Sequence, residues 1–309
     1  MIENPKYYSN GKLLITGEYL ILKGALALAM PVKYGQSLKL INNNSKGFVW
    51  EAQVLDKNWF HCKFDLSNWT ILESNNEEKA IYLQNILKIA GKLNPSFKNK
   101  LSAKKAISKI NFDINWGLGS SSSLISNISY LSETNPFHLH FVLSNGSGYD
   151  IACARTQSPI LYKIDQQKPI IKEVVFDPEY QSQLNFLYLG KKQDTTKSVN
   201  KFLQKGKDYI AESRSISEIS KEVLSAKKIE DFNYLVCEHN LLLSSVLKTK
   251  NLKDEYFSSF EGEVKPLGAW GGDFALIASS WDRQHIKKYF QQKGFSTLIP
   301  FDEMKLIEK

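Results

Sequence analysis

The sequence predicts an α+β fold in two domains, on three observations. Its 309 residues suffice for two units of ordinary size, each able to bury a core. Residues 11–40 are rich in strand-like apolar runs, whereas residues 184–294 alternate strands with helical stretches, the pattern of helices packed on a sheet. Between them, residues 165–183 are largely polar and carry Pro169 and Pro178, which marks a boundary and places the domains at 1–180 and 181–309.

Each element has its own signal. Residues 12–16 and 19–22 are apolar runs broken by Gly17, and residues 37–41 alternate before a turn cluster at 42–45, so this region reads as hairpin strands. Helical spacing of Ile81, Ile86, Leu87 and Ala90 predicts a helix over 77–90, with Gly91 as its stop. A strand over 106–114 turns through Gly117, Leu118 and Gly119 into a helix whose Leu124, Ile125, Ile128 and Leu131 share one face. A second glycine turn spans 145–148, and a strand follows at 160–164. Beyond the boundary come a strand (184–189), helices (196–204, 209–226, 229–247), a strand (273–279) and a helix (283–294).

With 42% hydrophobic and 23% charged residues the composition is globular. The net charge of +8 attracts anions. The lysines come as scattered pairs (Lys104 and Lys105, Lys191 and Lys192, Lys227 and Lys228, Lys287 and Lys288), so a small anionic molecule is expected rather than nucleic acid. Residues 1–10 lack the basic and apolar regions of a signal peptide, and the longest apolar run, 25–32, contains a proline and is too short to span a bilayer. A cytoplasmic protein without membrane contact, monomeric or homodimeric, is expected. Cys62, Cys153 and Cys237 are isolated and odd in number, against a disulfide framework or zinc site.

Phosphoryl transfer requires a cradle for phosphates, a metal site, a positioned hydroxyl and positive charge. Gly117, Leu118, Gly119, Ser120, Ser121, Ser122 and Ser123 could form the cradle: glycines admit close backbone approach, and the following helix start directs N–H groups at an anion. Read alone, the segment is equally an ordinary helix entry. It is not a Walker A loop, lacking the Gly-Lys-Ser/Thr ending, nor a dinucleotide fingerprint, lacking the third glycine.

Three segments taken together are more specific. Gly11-Lys12-Leu13-Leu14-Ile15-Thr16-Gly17-Glu18-Tyr19-Leu20, the 117–123 segment, and Gly268-Ala269-Trp270-Gly271-Gly272-Asp273 resemble, in order, the three motifs of the GHMP kinase superfamily (galactokinase, homoserine, mevalonate and phosphomevalonate kinases). The resemblance implies an N-terminal domain like ribosomal protein S5 domain 2, a ferredoxin-like C-terminal domain, and ATP with Mg²⁺ between them. It implies that Ser120 to Ser123 serve the phosphates, with Ser121 and Ser122 at the metal, and that Lys12 lies by the reacting groups. Asp150, in Gly146-Ser147-Gly148-Tyr149-Asp150, is similar to the family's catalytic aspartate. Independently, a carboxylate after two glycines can approach an alcohol closely; a turn-stabilising aspartate is the other reading. On the substrate side the resemblance implies Gly148, Thr196, Lys197, Gly271, Gly272 and Asp273, together with Glu18 and Tyr19, whose part reads as structural or supporting rather than chemical. Trp270 departs from the family's usual glycine.

Gly17-Glu18-Tyr19, Gly-Ser-Gly-Tyr-Asp and the Gly-Gly-Asp ending lean toward phosphomevalonate kinase, then mevalonate kinase. Mevalonate kinases typically place a metal-binding glutamate about eleven residues before the aspartate; Leu139 stands there. His138 and His140 would share a side on a strand, yet two ligands make a poor metal site. Arg155 could reach a phosphate or serve as a surface or cap residue. A diphosphomevalonate decarboxylase, a kinase for another small alcohol and a non-catalytic metabolite sensor are the alternatives, and an intact Lys12, serine turn and Asp150 argue against the sensor.

Overall fold

Two sheets organise the chain, and the computed structural model describes residues 6–44, 46–166, 168–190, 195–204, 206–268 and 272–306. The first sheet begins with β1 (Lys6–Leu14), β2 (Ala27–Asn42), β3 (Phe48–Val54), β4 (Lys57–Asp65) and β5 (Thr70–Ser74). Helices α1 (Glu77–Leu93) and α2 (Phe97–Leu101) precede β6 (Lys104–Ile110), and α3 (Ser120–Ser132), α4 (Pro136–Leu143) and α5 (Tyr149–Arg155) precede β7 (Ile160–Asp165) and β8 (Lys168–Glu173). Its order is β5-β4-β3-β6-β2-β7-β8, with β1 paired to β2 and the β3–β6 pair parallel.

The second sheet runs from β9 (Leu184–Tyr188) through α6 (Thr195–Leu203), α7 (Ile210–Glu222), α8 (Ile229–Leu247) and α9 (Leu252–Tyr256) to β10 (Glu263–Leu267) and β11 (Phe274–Ala278). Helix α10 (Arg283–Gln292), β12 (Leu298–Pro300) and α11 (Phe301–Met304) close it. The antiparallel order β10-β11-β9-β12, with helices after its first and third strands, is the ferredoxin-like arrangement expected for this half.

Alternation explains the packing. On β9, Leu184 and Phe186 face a core shared with Phe232 and Leu276, while Leu187 faces Phe257 and Phe290 on the other side. Both faces are covered, so the strand reads as a continuous apolar run. That first core also takes Leu13 of β1 and Leu28, Met30 and Val32 of β2, so the two sheets meet through α7 and α8. Helix α8 buries Phe232, Val236, Leu243 and Val246 on one stripe. Truncating Phe232, fully buried, to alanine would cost about 3–5 kcal/mol.

Three sequence expectations change. Gly91 lies inside α1 instead of ending it: the Trp69 ring packs over it, and an added Cβ would come within 3.0 Å of that ring. Residues 19–22 fall in a 3-10 turn (Leu20–Lys23) instead of a strand, with Leu20 and Ile21 entering different cores; so short an apolar run suits either element. The strand expected over 106–114 ends at Ile110, and Asp113 accepts the Asn115 N–H to start a separate 3-10 turn, Ile114–Trp116.

Candidate active site

A cavity of about 770 Å³ opens between the two halves, and it brings together residues far apart in sequence: Lys12, Ser120, Ser121, Ser122, Asp150 and Asp273. Lys12 sits on β1, whose backbone reaches the glycine turn, since the Lys12 N–H donates to Leu118 O at 2.9 Å. Its ammonium donates to Gly117 O at 2.7 Å. Gly117 has φ 63°, and an added Cβ there would lie 1.7 Å from Asp273 Oδ2, so the turn needs glycine both for its backbone and for the approach of the third motif.

Helix α3 starts at Ser120 without a side-chain cap, and Ser120, Ser121 and Ser122 of its first turn line the cavity, so its positive end faces that space. Ser121 Oγ is hydrogen-bonded to Tyr82 Oη, and Ser122 Oγ donates to Gly119 O at 2.9 Å. Ser123 is different. Its fully buried hydroxyl donates to Gln36 Oε1 at 2.8 Å, which places it in the polar seam under β2 and off the wall. Leu118 is also buried in the core, contributing its backbone carbonyl to Lys12.

Asp150 lies in the first turn of α5, its Oδ1 accepting the Ile151 N–H at 3.0 Å. Two contacts aim this helix. Ala152 and Cys153 pack on Leu14, Ala27 and Ala29, and Asn10 Nδ2 donates to Thr156 O at 2.8 Å at the helix end. The Tyr162 hydroxyl donates to Ser147 O at 2.5 Å, fixing the turn that leads through Gly148 to Asp150. Burial draws the Lys12 ammonium below its ordinary pKa, and Asp150 and Asp273 oppose that shift. Tyr149, with Lys12 Nζ 5.9 Å from its ring centroid, is held protonated, by burial first and then by Asp150.

Tyr19 lines the cavity and packs on Phe202 of α6, ring centroids 5.4 Å apart. Glu18 reaches the wall, but its carboxylate is 1% exposed and paired with Lys265 and His239. Gly271, Trp270, Lys191 and Lys192 lie outside the described residues, as does the side chain of Thr196. Lys197 is exposed and Gly272 buried, and neither is on the wall; from the same segments Val199, Asn200, Gly268 and Asp273 are.

His138 and His140 lie on helix α4, not a strand, so His138 is exposed while His140 turns inward to the cavity, its Nε2 3.4 Å from Gly146 O. Leu139 is buried in the core. Arg155 turns from the cavity to α3, donating to Ser126 O and Ser129 Oγ and stacking on Tyr130. Sequence reasoning passed over Tyr82, Trp116 and Asn200 on the wall. Asn200 could have been found, because it follows Thr196 by four positions on a helix.

Magnesium takes oxygen donors, commonly one or two carboxylates with substrate phosphates and water. The hydroxyls of Ser121 and Ser122 and the carboxylate of Asp150 fit that chemistry. Among the described residues no group of three or more His, Cys, Asp or Glu could hold a metal by itself.

No family model matches the sequence, and no curated protein does. Solved structures do match. Methanococcus jannaschii mevalonate kinase superposes with TM-score 0.69 at 17% identity, over 99% of each chain. Streptococcus pneumoniae phosphomevalonate kinase, in complex with phosphomevalonate and AMPPNP, gives 0.68 at 19% identity over 98% of each chain. Lactococcus lactis galactokinase, complexed with galactose, gives 0.66 at 14% identity over 99% of this chain and 94% of that one. The end-to-end likeness, with the ferredoxin-like second sheet, shows that this chain has the α+β fold of the GHMP kinases.

Proposed function

We propose that the protein is an ATP- and Mg²⁺-dependent kinase of a small anionic alcohol, phosphomevalonate or mevalonate. One observation carries the reading: Lys12, the uncapped head of α3 with its serines, and Asp150 share a single cavity. In the transfer, the acceptor hydroxyl oxygen bonds to the γ-phosphorus, the bond from that phosphorus to the bridging oxygen breaks, and the hydroxyl proton passes to the Asp150 carboxylate. The Lys12 ammonium stabilises charge on the moving phosphoryl group. The α3 N-terminus and the hydroxyls of Ser120, Ser121 and Ser122 hold the triphosphate. Mg²⁺ bound at Ser121 and Ser122 would neutralise phosphate charge. Tyr19, Trp116 and Asn200 form the acceptor side. The domain boundary is placed near residue 180, between β8 and β9.

The Gly17-Glu18-Tyr19 and Gly-Ser-Gly-Tyr-Asp segments support the phosphomevalonate branch. Since a galactokinase has the same fold, sugars belong in the test. Purified protein is given ATP and Mg²⁺ with phosphomevalonate, mevalonate, galactose or diphosphomevalonate, and ADP and CO₂ are measured. ADP release with one of the first two, above the ATPase background, is the expected result. Turnover of galactose alone would reassign the acceptor, CO₂ from diphosphomevalonate would make the protein a decarboxylase, and silence with every acceptor would remove the kinase reading.

A further inference from the structure

Directly behind the cavity wall lies a second, sealed charge cluster that the transfer chemistry does not use. Glu18, His239 and Lys265 are each at most 1% exposed, and they come from the turn after β1, from α8 and from β10. Lys265 Nζ donates to Glu18 Oε1 and, at 3.3 Å, to Pro266 O. His239 Nε2 lies 3.1 Å from both the Gly17 nitrogen and Glu18 Oε2, so its tautomer decides whether it accepts from the amide or donates to the carboxylate. One residue upstream, Thr16 Oγ1 meets Ser220 Oγ of α7 at 2.6 Å.

Strand geometry couples this cluster to the site in two directions. Lys265 and Leu267 fall on one face of β10, and Leu267 and the following Gly268 both line the cavity. On the other side, Glu18 adjoins Tyr19 of the cavity wall and lies six positions from Lys12 on the same run of chain. A buried ion pair adds little net stability compared with an apolar replacement, and its attested value is to select one arrangement. We propose that Glu18, His239 and Lys265 form an electrostatic clasp that fixes the first motif against the third, which makes Lys265 and His239 positioning residues for the reaction. Neither touches the reacting atoms; they act through the Gly17–Tyr19 turn and the strand leading to Gly268.

The rate readout of this inference rests on the kinase reading, and its other readouts do not. Glu18→Gln, Lys265→Met and the double variant are compared with the wild type by urea unfolding, binding of AMPPNP with Mg²⁺, and kcat on the acceptor that the wild type turns over. Each single variant leaves a buried partner unpaired and loses stability; the double variant regains most of it. If the clasp positions, kcat of the stable double variant stays down by roughly tenfold or more, because small misplacements of reacting groups are costly, while AMPPNP affinity moves by less than about threefold. Recovery of stability and kcat together would reduce the cluster to packing and overturn the proposal. Native-state hydrogen exchange of the wild type decides the matter should the double variant not fold or the wild type turn over nothing. The Gly17 amide and the amides of β10 should open with a common free energy, and a Gly17 amide exchanging a hundredfold faster than its β10 counterparts would sink the idea.

Discussion

Lys12 and Lys265 are the same side chain in similar settings with opposite uses. Each stands on a strand that leads to a glycine turn, each is drawn below its ordinary pKa by burial, and each is held up by carboxylate: Asp150 and Asp273 for Lys12, Glu18 for Lys265. They differ in what touches the ammonium. Lys265 is sealed, with Glu18 in contact, so its charge is satisfied inside the protein. Lys12 opens on the cavity and its ammonium donates to a neutral carbonyl, Gly117 O, so its charge can meet an arriving anion. Burial alone does not distinguish a functional lysine from a structural one; the identity of its contacting partner does.

Substitution should separate the two sharply. Lys12→Met and Asp150→Ala are expected to lower kcat by about 10²–10⁴-fold with little change in the urea midpoint, because both face an open cavity. Lys265→Met should instead cost about 3–5 kcal/mol in urea unfolding, since Glu18 is left buried and uncompensated. An Asp150→Ala protein with an undiminished rate would end the assignment of the base. A Lys265→Met protein as stable as the wild type would erase the contrast.

The third member of the clasp gives it an acid limit. Burial, then the Lys265 ammonium, lowers the His239 pKa to about 4 against the opposing pull of Glu18. The unfolded chain therefore takes a proton near pH 6.5 that the native state refuses until about pH 4. Stability is full above that window and falls through it as pH drops, by about 3 kcal/mol at most. His239→Gln should flatten this part of the stability profile, as read by thermal melts at successive pH values. An equally steep variant would assign the acid loss elsewhere. The cavity side responds to shape instead: Gly117→Ala should lose at least about 1 kcal/mol through its positive φ, and raise KM for ATP as Asp273 is displaced.

The same contrast explains what was legible in the sequence. The serine turn could be read because glycines, serines and a helical stripe are contiguous, and α8 because its apolar period runs over residues 229–247. The clasp could not, since Lys265 and Glu18 are 247 positions apart and a lysine inside Glu263–Leu267 hides a fully buried strand. The strand placement of His138 and His140 fails because Pro136–Leu143 is apolar on most sides and gives neither alternation nor a clear stripe. Asp273 is visible as part of a motif, but its place against Gly117 depends on residues next to strands of different sheets coming together.

The smallest effect tests the comparison most directly, because it asks whether the Lys12 proton is the one that matters. Deprotonation removes the cation that faces the phosphates, and burial makes it occur at lower pH than for a free lysine, with Asp150 and Asp273 limiting the shift. The alkaline limb of kcat/KM should therefore lie below the ordinary lysine range. Lys12→Arg, whose guanidinium keeps its proton above about pH 12, should be slower through its altered shape yet lose that limb. Were the limb to persist unmoved in Lys12→Arg, it would belong to another group, and the open lysine would be no more titratable in function than the sealed one.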